Sequence, residues 1–167
     1  RAATLLVRGA HDATDAQDAR KSDLGSRALS QIYEPGSVQK VLTVSSLIDA
    51  GLVTPRTKIV VPPELTAGQV DPIHDWFVHG TIRLTMTGVI AKSSNIGTAK
   101  MALQLPAEKL WTLYSELGFG TVPKTGFPGE ASGKLRAWKT WKPIEQATMS
   151  YGYGLNVSLL QLARAYT

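Results

Sequence analysis

Ser37-Val38-Gln39-Lys40 sets a hydroxyl and an amine three residues apart. On a helix those two side chains share a face within hydrogen-bonding reach. A serine hydroxyl is a weak nucleophile at neutral pH and needs a base beside it. A lysine is that base when burial and neighbouring charge leave it neutral. A helix N-terminus at Ser37 adds free backbone N–H groups and a dipole that favour negative charge developing there. Twelve serines and ten lysines in 167 positions give about 0.7 chance occurrences of Ser-x-x-Lys, so the spacing alone is weak. This one is the single occurrence, and it falls where a helix should begin.

Ser93-Ser94-Asn95 is a Ser-x-Asn at a break between helical patterns, with a chance expectation of about 0.14. A serine there can relay a proton between the lysine and a leaving amine. An asparagine both donates and accepts, so Asn95 can hold the lysine or a substrate amide. The structural alternative is that Ser94 and Asn95 cap the next helix. The two readings are compatible, because a cap residue can also line a cleft.

The elements that must position these groups are mostly helical. Glu34-Pro35-Gly36 ends what precedes it, and Ser37 caps or opens a helix. Val38, Val41, Leu42, Ser45, Leu47 and Ile48 follow at roughly helical spacing until Gly51. Lys58–Val61 reads as a short β-branched strand stopped by Pro62-Pro63. Residues 64–80 form an irregular excursion. A second helix is expected from Thr85 towards Lys92, and a third from the Ser93-Ser94-Asn95 break to about Leu105. Pro106 suits the first turn of a fourth, with Leu110, Leu113, Tyr114 and Leu117 on one face. Residues 118–133 are loop, Pro143 opens a helix, and Asn156 caps the last one. A strand is expected at Thr4–Val7 and a loop at His11–Ser22.

Composition bounds the classes. With 43% apolar and 19% charged residues, the chain is no disordered tail, collagen-like fibre or coiled coil. No apolar run here is long enough to span a bilayer. Zero cysteines exclude a disulfide scaffold, a cysteine nucleophile and a thiolate metal site, while leaving the compartment open. The net charge of +5 is concentrated between Lys124 and Lys142, where Lys124, Lys134, Arg136, Lys139 and Lys142 face only Glu130. That segment, with Trp138 and Trp141 interleaved, reads as a solvated loop whose tryptophans pack back on the core. No helix-turn-helix, RNA-binding signature or zinc spacing supports nucleic acid.

Glu34-Pro35-Gly36-Ser37-Val38-Gln39-Lys40 resembles the Glu-Pro-Gly-Ser-x-x-Lys of class B penicillin-binding proteins, the monofunctional peptidoglycan transpeptidases. Ile90 to Gly97 resembles their second motif with its flanks. Gly118-Phe119-Gly120 followed by residues 125–130 is similar to their loop ending in Pro-Gly-Glu. Tyr151-Gly152-Tyr153-Gly154 through Tyr166 is similar to their glycine pair and following helix. The blocks fall in the family's order over about residues 30–167, closest to the septal, cell-division members.

The resemblance implies the α/β transpeptidase fold shared with serine β-lactamases, here mainly its helical lobe. Residues 1–33 are then an N-terminal segment of unassigned structure, and 34–167 a partial transpeptidase domain. It implies Ser37 as nucleophile on D-Ala-D-Ala stem peptides, Lys40 as base, Ser93 as proton relay and Asn95 as positioner of Lys40 or substrate. β-Lactam antibiotics would acylate the same serine. No metal or cofactor is needed. The implied setting is the extracytoplasmic side of the bacterial cytoplasmic membrane, with an anchor outside this chain and cell-division or elongation membrane proteins as partners. Competing readings are a serine β-lactamase or β-lactam sensor, and a truncated, non-catalytic interaction domain.

The family's third motif is Lys-Thr-Gly or Lys-Ser-Gly on a strand. Lys124-Thr125-Gly126 spells it between Pro123 and Phe127-Pro128-Gly129, where a regular strand is hard to maintain, so it reads as a coincidence. By order, the true third motif is expected beyond Thr167. A site lacking the oxyanion donor that this strand supplies would be slower by about 10²–10³. His74, Asp75 and His79 lack a regular metal-ligand spacing; Asp71, His74 and Asp75 are expected to shape a loop near the cleft. Trp76 and Trp111 are expected to pack.

Overall fold

The computed structural model describes residues 26–68 and 71–167. The strand expected at Thr4–Val7 and the loop at His11–Ser22 lie outside the described residues. Of the segment 1–33, Arg27–Ser30 forms a one-turn helix (α1) and Ile32–Tyr33 a short strand (β1). Pro35 and Gly36 then turn the chain, with Gly36 at φ +63°. Gly36–Val38 makes a 3-10 turn that runs straight into helix α2, Gln39–Asp49. Ser37 therefore opens the helix from inside its first turn and does not cap it.

The buried face of α2 differs from the apolar spacing. Leu42, Val44 and Leu47 are buried, whereas Val38, Val41 and Ile48 are exposed. The polar Gln39, Lys40 and Thr43 are buried in their place. Burying a hydroxyl costs least when it keeps its partners, and Thr43 does: its hydroxyl bonds the Ser150 carbonyl at 2.7 Å and the Tyr114 hydroxyl at 2.8 Å.

Lys58–Val61 is β2, as expected, with Ile59 and Val61 inward and Lys58 and Val60 outward, the period-2 alternation of a half-buried strand. It pairs antiparallel with a strand that local pattern did not reveal, β3, Ile82–Thr85, in register Ile59↔Leu84 and Val61↔Ile82. Thr85 closes β3 and caps α3, Met86–Ala91, its hydroxyl accepting from the Gly88 N–H. After the break come α4, Asn95–Ala102, and α5, Ala107–Glu116, with Pro106 at the N-cap. A 3-10 turn at Trp138–Thr140 precedes α6, Pro143–Ser150. Strand β4, Val157–Ser158, pairs with β1, and α7, Leu159–Arg164, follows.

The last cap is a correction. Ser158, not Asn156, closes a capping box: its hydroxyl accepts from Gln161 N while Gln161 Oε1 accepts from Ser158 N. Asn156 is held instead in a two-way bridge with Lys134. A cap of this kind is worth about 1 kcal/mol.

Helix α2 is a wall shared by two apolar clusters. Val44 and Leu47 join Ile59, Val61, Val89 and Ile96 on one side. Leu42 joins Leu110, Tyr114, Phe119 and Met149 on the other. Truncating a fully buried leucine such as Leu47 to alanine costs about 2–5 kcal/mol. The helix that carries Lys40 is thus clamped on both flanks. In the basic segment, Trp141 packs on the second cluster and Arg136 pairs with Glu145.

Candidate active site

The turn that carries Ser37 is fixed by residues more than a hundred positions away. The Gly36 N–H donates to the Gly152 carbonyl at 2.9 Å, and the Gly154 N–H donates to Glu34 Oε1 at 2.8 Å. A Cβ on Gly152 would lie 2.0 Å from the Gly36 oxygen, and Gly152 sits at φ +94°. Both the close approach and the left-handed backbone demand glycine there. The Glu-Pro-Gly-Ser block and the glycine pair are two halves of one joint.

On that turn Ser37 is exposed, while Lys40, one step into α2, retains only 2% of its surface. Lys40 Nζ donates to Ser37 Oγ at 3.0 Å, to Ser93 Oγ at 2.9 Å and to the Ser93 carbonyl at 2.6 Å. Ser93 Oγ closes the triangle by donating to Ser37 Oγ at 3.1 Å. Burial brings the Lys40 ammonium down from 10.5 to about 8, and the negative charge of Asp75 works against that fall. A neutral lysine at mildly alkaline pH can accept the Ser37 proton, which turns an exposed hydroxyl into a nucleophile.

Ser93 lies in left-handed backbone, φ +53°. A non-glycine residue there costs about 1–2 kcal/mol, and it is this conformation that presents both oxygens of one residue to Lys40. Ser94 is the N-cap of α4, its hydroxyl accepting from Gly97 N at 2.8 Å. Asn95 is the first residue of α4, and its Nδ2 donates to the His74 carbonyl at 3.0 Å. The three acceptors of Lys40 are all on Ser37 and Ser93, so Asn95 is not among its partners. Ser37, Lys40 and Ser93 are brought together; Asn95 stands beside them at the helix N-terminus.

Lys124-Thr125-Gly126 is no strand. Lys124 adopts φ +59° and Gly126 φ +87°, while the Thr125 N–H and hydroxyl both bond Glu130. Trp76, expected to pack, is 75% exposed, with its Nε1 on the Lys92 carbonyl at 2.8 Å. Asp75, expected to shape a loop, is wholly buried at its carboxylate and bonds the second motif directly. A signal for it existed: an acid beside Ile73 and Phe77 in a Pro-bearing loop must find donors or stay outside. The described residues contain no group of three or more His, Cys, Asp or Glu side chains arranged to hold a metal ion.

The chain is similar to known proteins. The penicillin binding protein transpeptidase domain family matches residues 4–167. The chain is 44% identical over 142 residues to a probable peptidoglycan D,D-transpeptidase, PenA, of Neisseria gonorrhoeae, covering 85% of this chain and 24% of that protein. It is 35% identical over 147 residues to the Escherichia coli peptidoglycan D,D-transpeptidase FtsI, covering 87% and 24%. The chain thus spans about a quarter of the length of these relatives. Among solved structures, the transpeptidase domain of Burkholderia pseudomallei penicillin-binding protein 3 superposes with TM-score 0.79 at 51% identity, covering 84% of this chain and 42% of that one. Mycobacterium tuberculosis penicillin-binding protein 3, solved in apo form and with aztreonam or ampicillin, gives 0.85 at 33% identity, covering 92% and 34%. With the Ser37 turn, the Ser93 turn and the glycine joint in that order on one α/β scaffold, this chain belongs to the transpeptidase-domain family of penicillin-binding proteins.

Proposed function

We propose that the chain carries the nucleophile, base and proton relay of a peptidoglycan D,D-transpeptidase. The observation that carries this reading is the closed hydrogen-bond triangle of Ser37 Oγ, Lys40 Nζ and Ser93 Oγ. Neutral Lys40 takes the Ser37 proton as Oγ attacks the carbonyl of the penultimate D-Ala in a stem peptide. The C–N bond to the terminal D-Ala breaks, and Ser93 passes the proton to the departing amine. An amine from a neighbouring stem then attacks the ester, frees Ser37 and completes the cross-link. The Ser37 N–H, at the head of α2, is one donor to the oxyanion that forms at each attack. Asn95, tethered through Nδ2, positions the substrate amide rather than the lysine.

A β-lactam presents a strained amide to the same hydroxyl and leaves a stable ester. The likeness to a mycobacterial protein solved with ampicillin and aztreonam supports that step. The resemblance to septal members and the likeness to FtsI support a role in cell division, with cell-division membrane proteins as partners, on the extracytoplasmic side of the membrane. No helix among the described residues is long and apolar enough to cross a membrane.

The test is intact mass of the full-length protein after incubation with a penicillin. A lasting adduct that vanishes in Ser37→Ala supports the transpeptidase. Rapid hydrolysis of the drug would mark a β-lactamase instead, and no adduct at all would leave a non-catalytic domain.

A further inference from the structure

Trp76 stands on the rim of the site with 75% of its surface exposed, yet its ring is held in place. Nε1 donates to the Lys92 carbonyl at 2.8 Å, and the Phe77 ring meets the indole in a T-shaped contact, centroids 5.3 Å apart. The loop alternates around it. Phe77 and His79 are partly buried, whereas Trp76 and Val78 are exposed.

An indole left in water contributes little to the apolar burial that stabilises a fold. Its N–H is taken by the backbone, so what it offers a ligand is its face. That face is apolar and carries partial negative charge. A pyranose ring matches it, because one side of the sugar is a row of C–H bonds with partial positive charge. The sugar hydroxyls stay in water around the edge. A ring already fixed by a hydrogen bond and a neighbouring aromatic loses little entropy when a ligand lies on it.

The platform lies close to the reacting groups. Lys92 immediately precedes Ser93, whose hydroxyl is 3.1 Å from that of Ser37. In the reading above, the substrate is a peptide stem hung from a glycan strand, and an extended stem covers at most about 3.5 Å per residue. A few stem residues bridge from Ser37 to a sugar lying on the indole. Lys92 adds a cation there, its ammonium 5.8 Å from the centroid of the Phe77 ring, suited to a carboxylate of that stem. We propose that Trp76 is a stacking platform for a sugar ring of the peptidoglycan strand whose stem Ser37 attacks. The inference rests on the transpeptidase reading and adds a glycan subsite to it. A protein partner fits less well. Trp76 and Val78 offer two apolar side chains, whereas a stable protein interface takes about 800 Å² from each side.

The experiment is competition against a fluorescent penicillin on the full-length protein, scored as the competitor concentration that halves the labelling rate. The competitors are the free stem peptide and the same stem attached to its disaccharide. The wild type is expected to favour the sugar-bearing stem about tenfold. Two variants separate the ring from its tether. Trp76→Phe keeps an aromatic face without a donor, and Trp76→Gln keeps a donor for the Lys92 carbonyl without a face. The platform predicts that phenylalanine retains most of the preference and that glutamine brings it to about twofold or less. The reverse order, or a preference that survives in Trp76→Gln, would overturn the proposal and leave the indole to its backbone tether or to a protein partner. Should circular dichroism show Trp76→Gln unfolded, the wild type keeps the test. Excess peptide-free glycan is then expected to erase the preference, and a preference unmoved by it would overturn the platform. A wild type that takes no label sinks the transpeptidase reading itself, and a labelled wild type indifferent to the sugar sinks the platform alone.

Discussion

Lys40 Nζ stands 3.0 Å from Ser37 Oγ with the lysine buried and the serine exposed. That asymmetry holds the amine out of water and leaves the hydroxyl exposed. In the proposed mechanism it also sets the pH at which the pair works.

Lys40 is brought from 10.5 to about 8 by burial. Below that pH it holds its proton and cannot accept another, so acylation should climb about tenfold per pH unit and level off above about 8. Lys40→Ala should lose about 10²–10⁴ in rate together with that acid limb. The stability sign follows the same shift. The unfolded lysine binds its proton more tightly than the folded one, so this group favours folding increasingly as pH rises from about 8 to 10.5. Stopped-flow or quenched acylation rates across pH 6–10 check the first part, and denaturant titrations the second.

In the proposed mechanism Ser93 combines a proton relay with backbone strain, and two substitutions separate them. Ser93→Ala and Ser93→Gly both remove the relay hydroxyl and should slow acylation alike. Glycine accepts φ +53° without penalty. The glycine variant should therefore be more stable than the alanine variant by about 1 kcal/mol. Chemical denaturation of the pair is the measurement, and equal stabilities would mean the turn is not strained.

Gly152→Ala should disable the site from a distance. The new methyl would sit 2.0 Å from the Gly36 oxygen, so the Ser37 turn must move. Destabilisation of about 2 kcal/mol or more is expected, with loss of penicillin labelling. Labelling at the wild-type rate would show that the joint between the two glycines does not position Ser37.

Lys124→Ala should leave acylation of the full-length protein unchanged, because Lys124-Thr125-Gly126 is a left-handed turn tied to Glu130. A near-total loss in labelling kinetics would restore those residues as the third motif.

The local features were legible in the sequence, and the non-local ones were not. The Ser37–Lys40 spacing, β2 and the break at residues 93–95 each follow from residues within a few positions. Strand β3, Ile82-Arg83-Leu84-Thr85, alternates apolar and polar, but four residues are too short for that alternation to stand out from the helical run that follows, and the strand exists by pairing with β2. The periodic apolar side chains of α2 misplaced its buried face, since Lys40 and Thr43 are buried through partners on distant elements. Glu34 and Asp75 illustrate the same limit. Each is one acid among 13 in the sequence, and only the folded chain brings the Gly154 N–H to the first and Ser94 to the second.

The central claim is that Ser37 is the residue acylated, with Lys40 and Ser93 serving it. The most direct measurement is peptide mapping by tandem mass spectrometry of the penicillin-labelled full-length protein. The adduct is predicted on Ser37, and absent when Lys40 is replaced by alanine and the reaction is quenched early. An adduct on Ser93, Ser94 or a residue outside this triangle, with Ser37 unmodified, would contradict it.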